Sequence, residues 1–422
     1  MNLLAHPSAA DFLRGFQEEH LSELEFLLGQ RQRRLREPAL SWRDAESVET
    51  RIEGHLEAMR AGGPVAVSIA SEALSGGDVS LIPAALFSLA SLAPEALAPD
   101  ALPAPKEEWP EFLSSWEGAL VLADHPGIPA FLTRVLLNDR PEVRAAAARA
   151  LGRRRDKEGP ALVPLLDDAA MEVRSAAALS LAKCAHQPVL PTLERMLHVP
   201  SELALLQFQA ALLLGSRHAF ELCRGVCEQG GAPAAFIELF AMAGGEHGLP
   251  VLLRLSTVAA STAPALAAMG IVGNGGSIPQ LIEHLSDGES VAQAAASALQ
   301  LITGAGLTRK VSVPAPDDED EPATEMEMPS IDPVEWNRWW GLHQGRFGSG
   351  RYRAGKPLVM WSIVEELAEP RSSLVVRTRA GLEFTLRSGQ RLDFEPDWPI
   401  ARQRAVIAGL GNRREHLQQR LR

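Results

Sequence analysis

The sequence predicts an all-α protein, an α-solenoid of stacked helical hairpins with a helical N-terminal cap and a small C-terminal module. Three observations predict it. Alanine and leucine dominate the 422 residues while aromatic residues make up only 5%, which favours helices packed through small side chains over sheets built from β-branched and aromatic ones. The run Val143-Arg144-Ala145-Ala146-Ala147-Ala148-Arg149-Ala150-Leu151-Gly152 returns 30 residues later as Val173-Arg174-Ser175-Ala176-Ala177-Ala178-Leu179-Ser180-Leu181-Ala182. Helices aligned on their closing small residue (Ala90, Ala123, Gly152, Ala182, Gly215, Gly244, Gly270 and Gly304) recur at intervals of 26 to 34 residues. That is the length of a unit that must lean on its neighbours to bury its apolar stripe.

Residues 1–63 read as the cap. HLSELEFLLGQRQRRL (20–35) and ETRIEGHLEAMRAGG (49–63) have amphipathic helical spacing, and Ser41 with Asp44 three residues on marks a helix start between them. His20 and His55 are expected to make polar contacts inside the cap, whose outer face a solenoid needs polar.

Residues 64–310 read as the repeats. Apolar stretches at 131–139, 161–168, 189–197 and 278–287 supply first helices ahead of the alanine-rich second ones. Asp139 and Asp287 stand where a short acceptor caps the following helix, and Asp168 lies one residue out of that register, which implies an insertion. Arg144 and Arg174 are either inter-repeat residues paired with turn acids such as Asp139 or Asp168, or rungs of a ladder aimed at an acidic ligand. Ala292 in a later repeat weakens the ladder. Arg153, Arg154 and Arg155 close their helix, where cations favour the negative end of the macrodipole.

Residues 311–330 contain VPAPDDEDEPATEMEMPS, with four prolines and seven acids, a composition expected to form a disordered tether. Residues 331–422 follow as a basic module. Asp332 as cap, Pro333 at the first helical position and Glu335 make a helix start. Trp336, Trp339 and Trp340, at i, i+3 and i+4, share a face. Such a stripe serves as a core or seam, as a base-stacking platform, or as a protein-recognition surface. The partner-binding candidates are Trp336, Trp339, Trp340, Arg346, Arg351, Tyr352 and Arg353, with Arg144 and Arg174 in the repeats.

Charge narrows the function classes. Residues 1–310 carry net −11, 311–330 net −7 and 331–422 net +6, within a total of −12. An acidic repeat region repels phosphate, so nucleic acid is not the expected partner. Cys184, Cys223 and Cys227 cannot all pair, which fits a reducing compartment. The first residues lack the marks of a signal peptide, and no apolar run is seen reaching the ~18 residues of a membrane span. A cytoplasmic protein is expected.

No chemistry emerges. Glu246-His247 and Glu283-His284 fall in different parts of their units and should not converge on a metal. His218, Cys223 and Cys227 lack a fourth ligand. GIVGNGGSIP (270–279) follows a helix and lacks the Lys-Ser/Thr pair of a phosphate loop. It reads as a tight turn. No catalytic residue, cofactor or metal is expected.

The segment DRPEVRAAAARALG resembles HEAT repeats of the short type found in phycobilin lyases (PBS-lyase-type HEAT). With H…ELEFLL…R, RIEGHL, DPVEWNRWWGLHQGRFGSGRYRAGKPL and RLDFEP…ARQ, the chain resembles a proteobacterial HEAT-repeat family with several paralogues per genome, some encoded beside type VI secretion components. The resemblance implies a HEAT solenoid and carries no catalytic residues. It departs at SSLVVRTRAGLEFTL (372–386), where a β-branched run replaces an expected alanine-rich helix. The reading is a non-enzymatic protein-binding scaffold or adaptor, with a secretion apparatus as the implied setting. The competing class is a HEAT-fold enzyme or nucleic-acid protein, lyase-like or glycosylase-like, acting through the concave face.

Overall fold

A computed structural model describes residues 7–37, 40–76, 78–98, 109–155, 159–197, 204–313 and 324–418. The fold is all-α and of HEAT-solenoid class. Among the described residues the only strands form two short antiparallel pairs, 308–313 with 324–329 and 352–353 with 356–357. The chain divides into two compact units, residues 1–196 with 364–385 and 390–413, and residues 197–363 with 386–389 and 414–422. The stretch 331–422, read above as one module, is therefore shared between them.

In the first unit the second helices follow one another as layers: Trp109–Leu122 packs on Pro141–Arg154, which packs on Met171–Lys183. Pro141 and Glu142 open the middle helix and Arg153 and Arg154 close it, matching the macrodipole at both ends. Alanine serves because these helices have neighbours on two sides: Val143, Ala145 to Ala148, Ala150 and Leu151 are all buried. A Cβ on Gly152 would sit 2.6 Å from Ser180 Cα, so the closing small residue marks the crossing point. In the second unit Leu205–Leu213, Ala234–Gly244, Thr262–Val272 and Glu289–Thr303 make the equivalent series, and a Cβ on Gly270 would lie 2.7 Å from Ala298 Cα.

Several local expectations need correction. The first turn before Pro141–Arg154 is held by Asn138 Oδ1, which accepts from Arg140 N at 3.0 Å, and the next by Asp168 Oδ1, which accepts from Ala170 N at 2.9 Å. Asn138 and Asp168 are thus equivalent, there is no insertion, and Arg140 is the N-cap residue that follows Asp139. Asp287 pairs with His284 Nδ1 at 2.7 Å, and Gly288 is the N-cap of Glu289–Thr303. Ser41 caps a 3₁₀ turn, Trp42–Asp44, ahead of helix Ala45–Gly62. Gly159–Asp167 is 3₁₀ with Pro164 inside, because proline removes the N–H an α-helix needs there.

The acidic segment is not wholly a tether. Thr308–Val313 pairs with Thr324–Pro329, placing Arg309 and Val311 opposite Met328 and Met326 on one face, and Lys310 opposite Glu327 on the other. The alternation of methionine and glutamate in 325–328 is a strand period. Residues 314–323 lie outside the described residues.

Residues 372–386 fall mostly in a helix, Leu374–Ser388. Its exposed Val375 faces solvent while Arg377, Ala380, Glu383 and Phe384 are buried. This helix and its neighbours complete the N-terminal cap. Trp42 Nε1 donates to Glu369 O at 2.9 Å and the Arg377 guanidinium lies 3.8 Å from the Trp42 ring centroid. Arg377 also donates to Leu367 O, Pro396 O and Gln403 Oε1. Burial, with Arg43 adding to it, pushes its pKa down to about 9. Leu35, Trp42, Ala45 and Ile400 form a shared apolar cluster.

One stretch among the described residues, Ala234–Leu255, has the length and mean hydropathy of a bilayer span, although Glu238, Glu246 and Arg254 interrupt it. It is two helices, Ala234–Gly244 and Leu249–Leu255, broken by a 3₁₀ turn. Phe236, Ile237, Leu239 and Phe240 are buried inside the second unit.

Candidate functional site

Each second helix ends with carbonyls that have no partner in their own helix. In both units the C-terminal part of the chain supplies donors to these ends.

In the second unit the receptor is the turn after Thr262–Val272. Gly273 adopts φ +80°, the left-handed conformation glycine takes without cost. Tyr352 N donates to Gly273 O at 2.7 Å, Gly275 N to Gly350 O at 2.9 Å, and Asn274 Nδ2 to Ser349 O at 3.2 Å. The next helix end is bound in the same way, Ala354 N to Leu301 O at 2.8 Å and Gly355 N to Ile302 O at 2.9 Å. Arginines finish the clasp: Arg353 and Arg387 each donate to Ile271 O at 3.1 Å, and Arg351 to Val272 O at 2.9 Å. Glycine is required for space, since a Cβ on Gly273 would lie 2.5 Å from Tyr352 O and one on Gly275 2.8 Å from the Tyr352 ring.

In the first unit the helix ends are their own source of cations. Trp398 Nε1 donates to Arg153 O at 2.9 Å and Arg402 to Arg154 O at 3.1 Å. Arg155 and Lys183 both reach Glu395 Oε1, at 2.9 and 2.8 Å, while Arg153 joins Asp397 to Glu117. Burial pushes the Glu395 carboxyl up, yet Lys183, Arg155 and Arg153 together outweigh it and hold the group below the usual carboxylate range. Arg154 binds Leu120 O and Ala123 O of the preceding helix.

Arg144 grips the Asp168 carboxylate with two 2.9 Å bonds and also donates to Asn138 O and Asp139 O. Its hydrogen bond, helped by the Ala170 N–H and opposed by burial, is the main reason the Asp168 pKa is lowered. Arg174 donates to Asp168 O and Ala169 O. Both are therefore engaged between turns and repeats. Arg351, Tyr352 and Arg353 belong to the clasp. Trp336 is fully buried, its Nε1 donating to Ser330 O at 2.7 Å. Trp339 and Trp340 are half-buried around Phe347, each with ring centroids 5.9 Å away. Arg346 is exposed.

Outward on helix Pro333–His343, beside exposed Asn337 and Gly341, stand Val334, 66% exposed, Arg338, and Leu342, 78% exposed. Val334, Arg338 and Leu342 are i, i+4 and i+8, one face. Sequence reasoning passed over them because it followed the tryptophans; an apolar–basic–apolar repeat of four was the available signal. It also missed Gly273, Gly275, Arg387, Glu395 and Trp398, whose partners lie far along the chain.

Among the described residues no group of three or more His, Cys, Asp or Glu side chains is placed to hold a metal ion. Cys223 and Cys227 are buried, and burial pushes both thiols up to about 12. His20 Nδ1 and His55 Nδ1 are 2.9 Å apart, the expected polar contact.

A model of HEAT repeats matches residues 128–215. That match covers the stretch in which Pro141–Arg154 packs on Met171–Lys183. No curated protein sequence matches it. Among solved structures, human deoxyhypusine hydroxylase in complex with glycerol is similar at 16% identity and TM-score 0.23, over 66% of this chain and 96% of that one. An engineered protein is similar at 17% identity and TM-score 0.21, over 99% of this chain and 93% of that one.

Proposed function

We propose that the protein is a non-enzymatic scaffold that binds another protein, and that in the second unit the contact face is the outer side of helix Pro333–His343. The observation that carries this reading is the pair Val334 and Leu342, 66% and 78% exposed, flanking exposed Arg338 on a helix whose opposite face is anchored by buried Trp336. Apolar residues around an arginine on a rigid element are the make-up of a binding hot spot. Trp340 and Arg346 border the face. HEAT repeats suit the role because their stacked layers present fixed side chains over an extended surface. The sequence resemblance suggests a bacterial secretion apparatus as the setting. A cytoplasmic location agrees with three cysteines that form no disulfide.

The test is a photo-crosslinking amino acid at position 342, introduced into the full chain in its native cell. A discrete adduct that falls at least ~10-fold when Val334→Glu and Arg338→Glu are added supports the reading. An adduct pattern indifferent to those changes overturns it.

A further inference from the structure

The first described helix, Pro7–Arg36, carries two stripes. Gln17, Leu21, Leu24, Leu27, Arg31 and Leu35 are buried in the first unit. About a third of a turn away run Phe12, Phe16, Glu19, Glu23, Phe26 and Gln30. The phenylalanines are 74, 43 and 54% exposed, the two glutamates are exposed and Gln30 is half-buried. The intervals are 4, 3, 4, 3 and 4 residues, the alternation of a and d seats in a heptad seam. A cap face expected to be polar instead presents three of the chain's 13 phenylalanines.

The seam is also held in shape. The Phe12 and Phe16 rings are stacked with centroids 6.1 Å apart, and Phe16 stands edge-on to His20 at 4.4 Å. His20 is tied in turn to His55 on helix Ala45–Gly62. Glu23 lies 3.8 Å from Arg51, both about half exposed, so its charge is only loosely answered within the unit.

We propose that this stripe is the docking seam for an α-helix of another protein, one that carries lysine or arginine at its two central seam positions and apolar residues at the outer ones. The spacing calls for a helix, because knobs at a and d enter holes on a facing helix. The charge decides which helix. A second copy of this chain in antiparallel register, Phe16 against Phe26, sets Glu19 against Glu23, and a parallel copy sets each glutamate against itself. Like charges brought together at a seam are repelled and desolvated, so self-pairing is selected against and a basic centre is selected for. The inference deepens the scaffold reading by giving the chemistry of one partner. Its surface is in the first unit, not on helix Pro333–His343.

The experiment uses the full chain and two synthetic heptad peptides of about 28 residues. They have identical outer faces and leucine seams, with lysine at the two central seam positions in one and glutamate in the other. Binding is read by fluorescence anisotropy at physiological salt. The lysine peptide should bind at least ~10-fold more tightly than the glutamate peptide. Glu19→Lys with Glu23→Lys should reverse the preference. Phe16→Ser with Phe26→Ser should weaken the lysine peptide by a similar factor while the melting curve is kept. Equal affinity for both peptides, or an unreversed preference in the charge-swapped chain, overturns the proposal. So does a concentration-dependent dimer abolished by Phe26→Ser, which assigns the seam to a second copy. Binding that appears only after removal of residues 1–6 assigns it to the chain's own N-terminus. The crosslink at position 342 is read separately, so the two readings fail independently.

Discussion

The two units fasten the C-terminal part of the chain to the ends of their second helices, and they divide the charges in opposite ways. In the first unit the helix ends supply the cations, Arg153, Arg155 and Lys183, and the later segment supplies the carboxylates Glu395 and Asp397. In the second unit the helix ends supply carbonyls and a glycine turn, and the later segment brings Arg351, Arg353 and Arg387. The difference teaches where each clasp is vulnerable. A buried carboxylate between cations fails when it is neutralised. The backbone hydrogen bonds of the second clasp, Tyr352 N to Gly273 O and Ala354 N to Leu301 O, carry no titrating group and fail when their close approach is blocked.

The largest effect should come from the first clasp. Glu395→Gln leaves Arg155 and Lys183 facing each other with little solvent to separate them, since their side chains are only 10% and 20% exposed. Breaking one side of a buried ion pair costs about 3–5 kcal/mol, readable as a lower denaturant midpoint. The same residue gives a pH signature. Its folded pKa is depressed, so its stabilising contribution is present above the ordinary carboxylate value and is lost as pH falls through the lower folded value. Protection from hydrogen exchange at the Trp398 region should therefore fall more on acidification than protection at Tyr352, Ala354 and Gly355, whose clasp bonds run from backbone N–H to carbonyl. Glu395→Gln should abolish that contrast. Equal acid sensitivity of the two regions would show that the charge division has no energetic consequence.

The second clasp should break by volume. Gly273→Ala combines a left-handed backbone with a Cβ 2.5 Å from Tyr352 O, and strain of this kind costs of order 1–3 kcal/mol. The expected result is faster exchange at Tyr352 N and Ala354 N with no change at Trp398.

The repeats were legible in sequence because each unit buries its stripe on neighbours about thirty residues away, so the pattern recurs locally. Gly152 and Gly270 could be aligned before any contact was known, and both prove to be crossing points. The clasps were not legible for the complementary reason. Arg155 meets Glu395 and Gly273 meets Tyr352 across long intervals of chain, and no periodicity links such pairs. GIVGNGGSIP read as a shortened turn, which it is, but only its partner explains why Gly273 and Gly275 both tolerate so little bulk. Arg153 to Arg155 read as a helix-end charge device. The helix end is right, and the acids they answer lie in a segment the local reading could not attach to it. Asp168 is equivalent to Asn138 and not to Asp139, so adjacent polar residues in a turn leave the register ambiguous in sequence.

The smallest effect sharpens the comparison within a single unit. Arg144 and Arg174 occupy the same position in successive repeats, and both donate to the two carbonyls of the preceding turn. Arg144 adds the bidentate grip on Asp168, with the two side chains 16% and 9% exposed. Lysine keeps the charge but cannot make the two parallel bonds. Arg144→Lys should therefore cost about 1 kcal/mol more than Arg174→Lys. The effect should shrink at acid pH, where Asp168, whose pKa is depressed mainly by Arg144, becomes protonated in wild type as well. Urea unfolding of the two variants at neutral and acid pH measures the difference. Equal costs at both positions would mean that carbonyl capping alone fixes one repeat to the next, and that the charged half of the first unit's design matters only where the later segment docks.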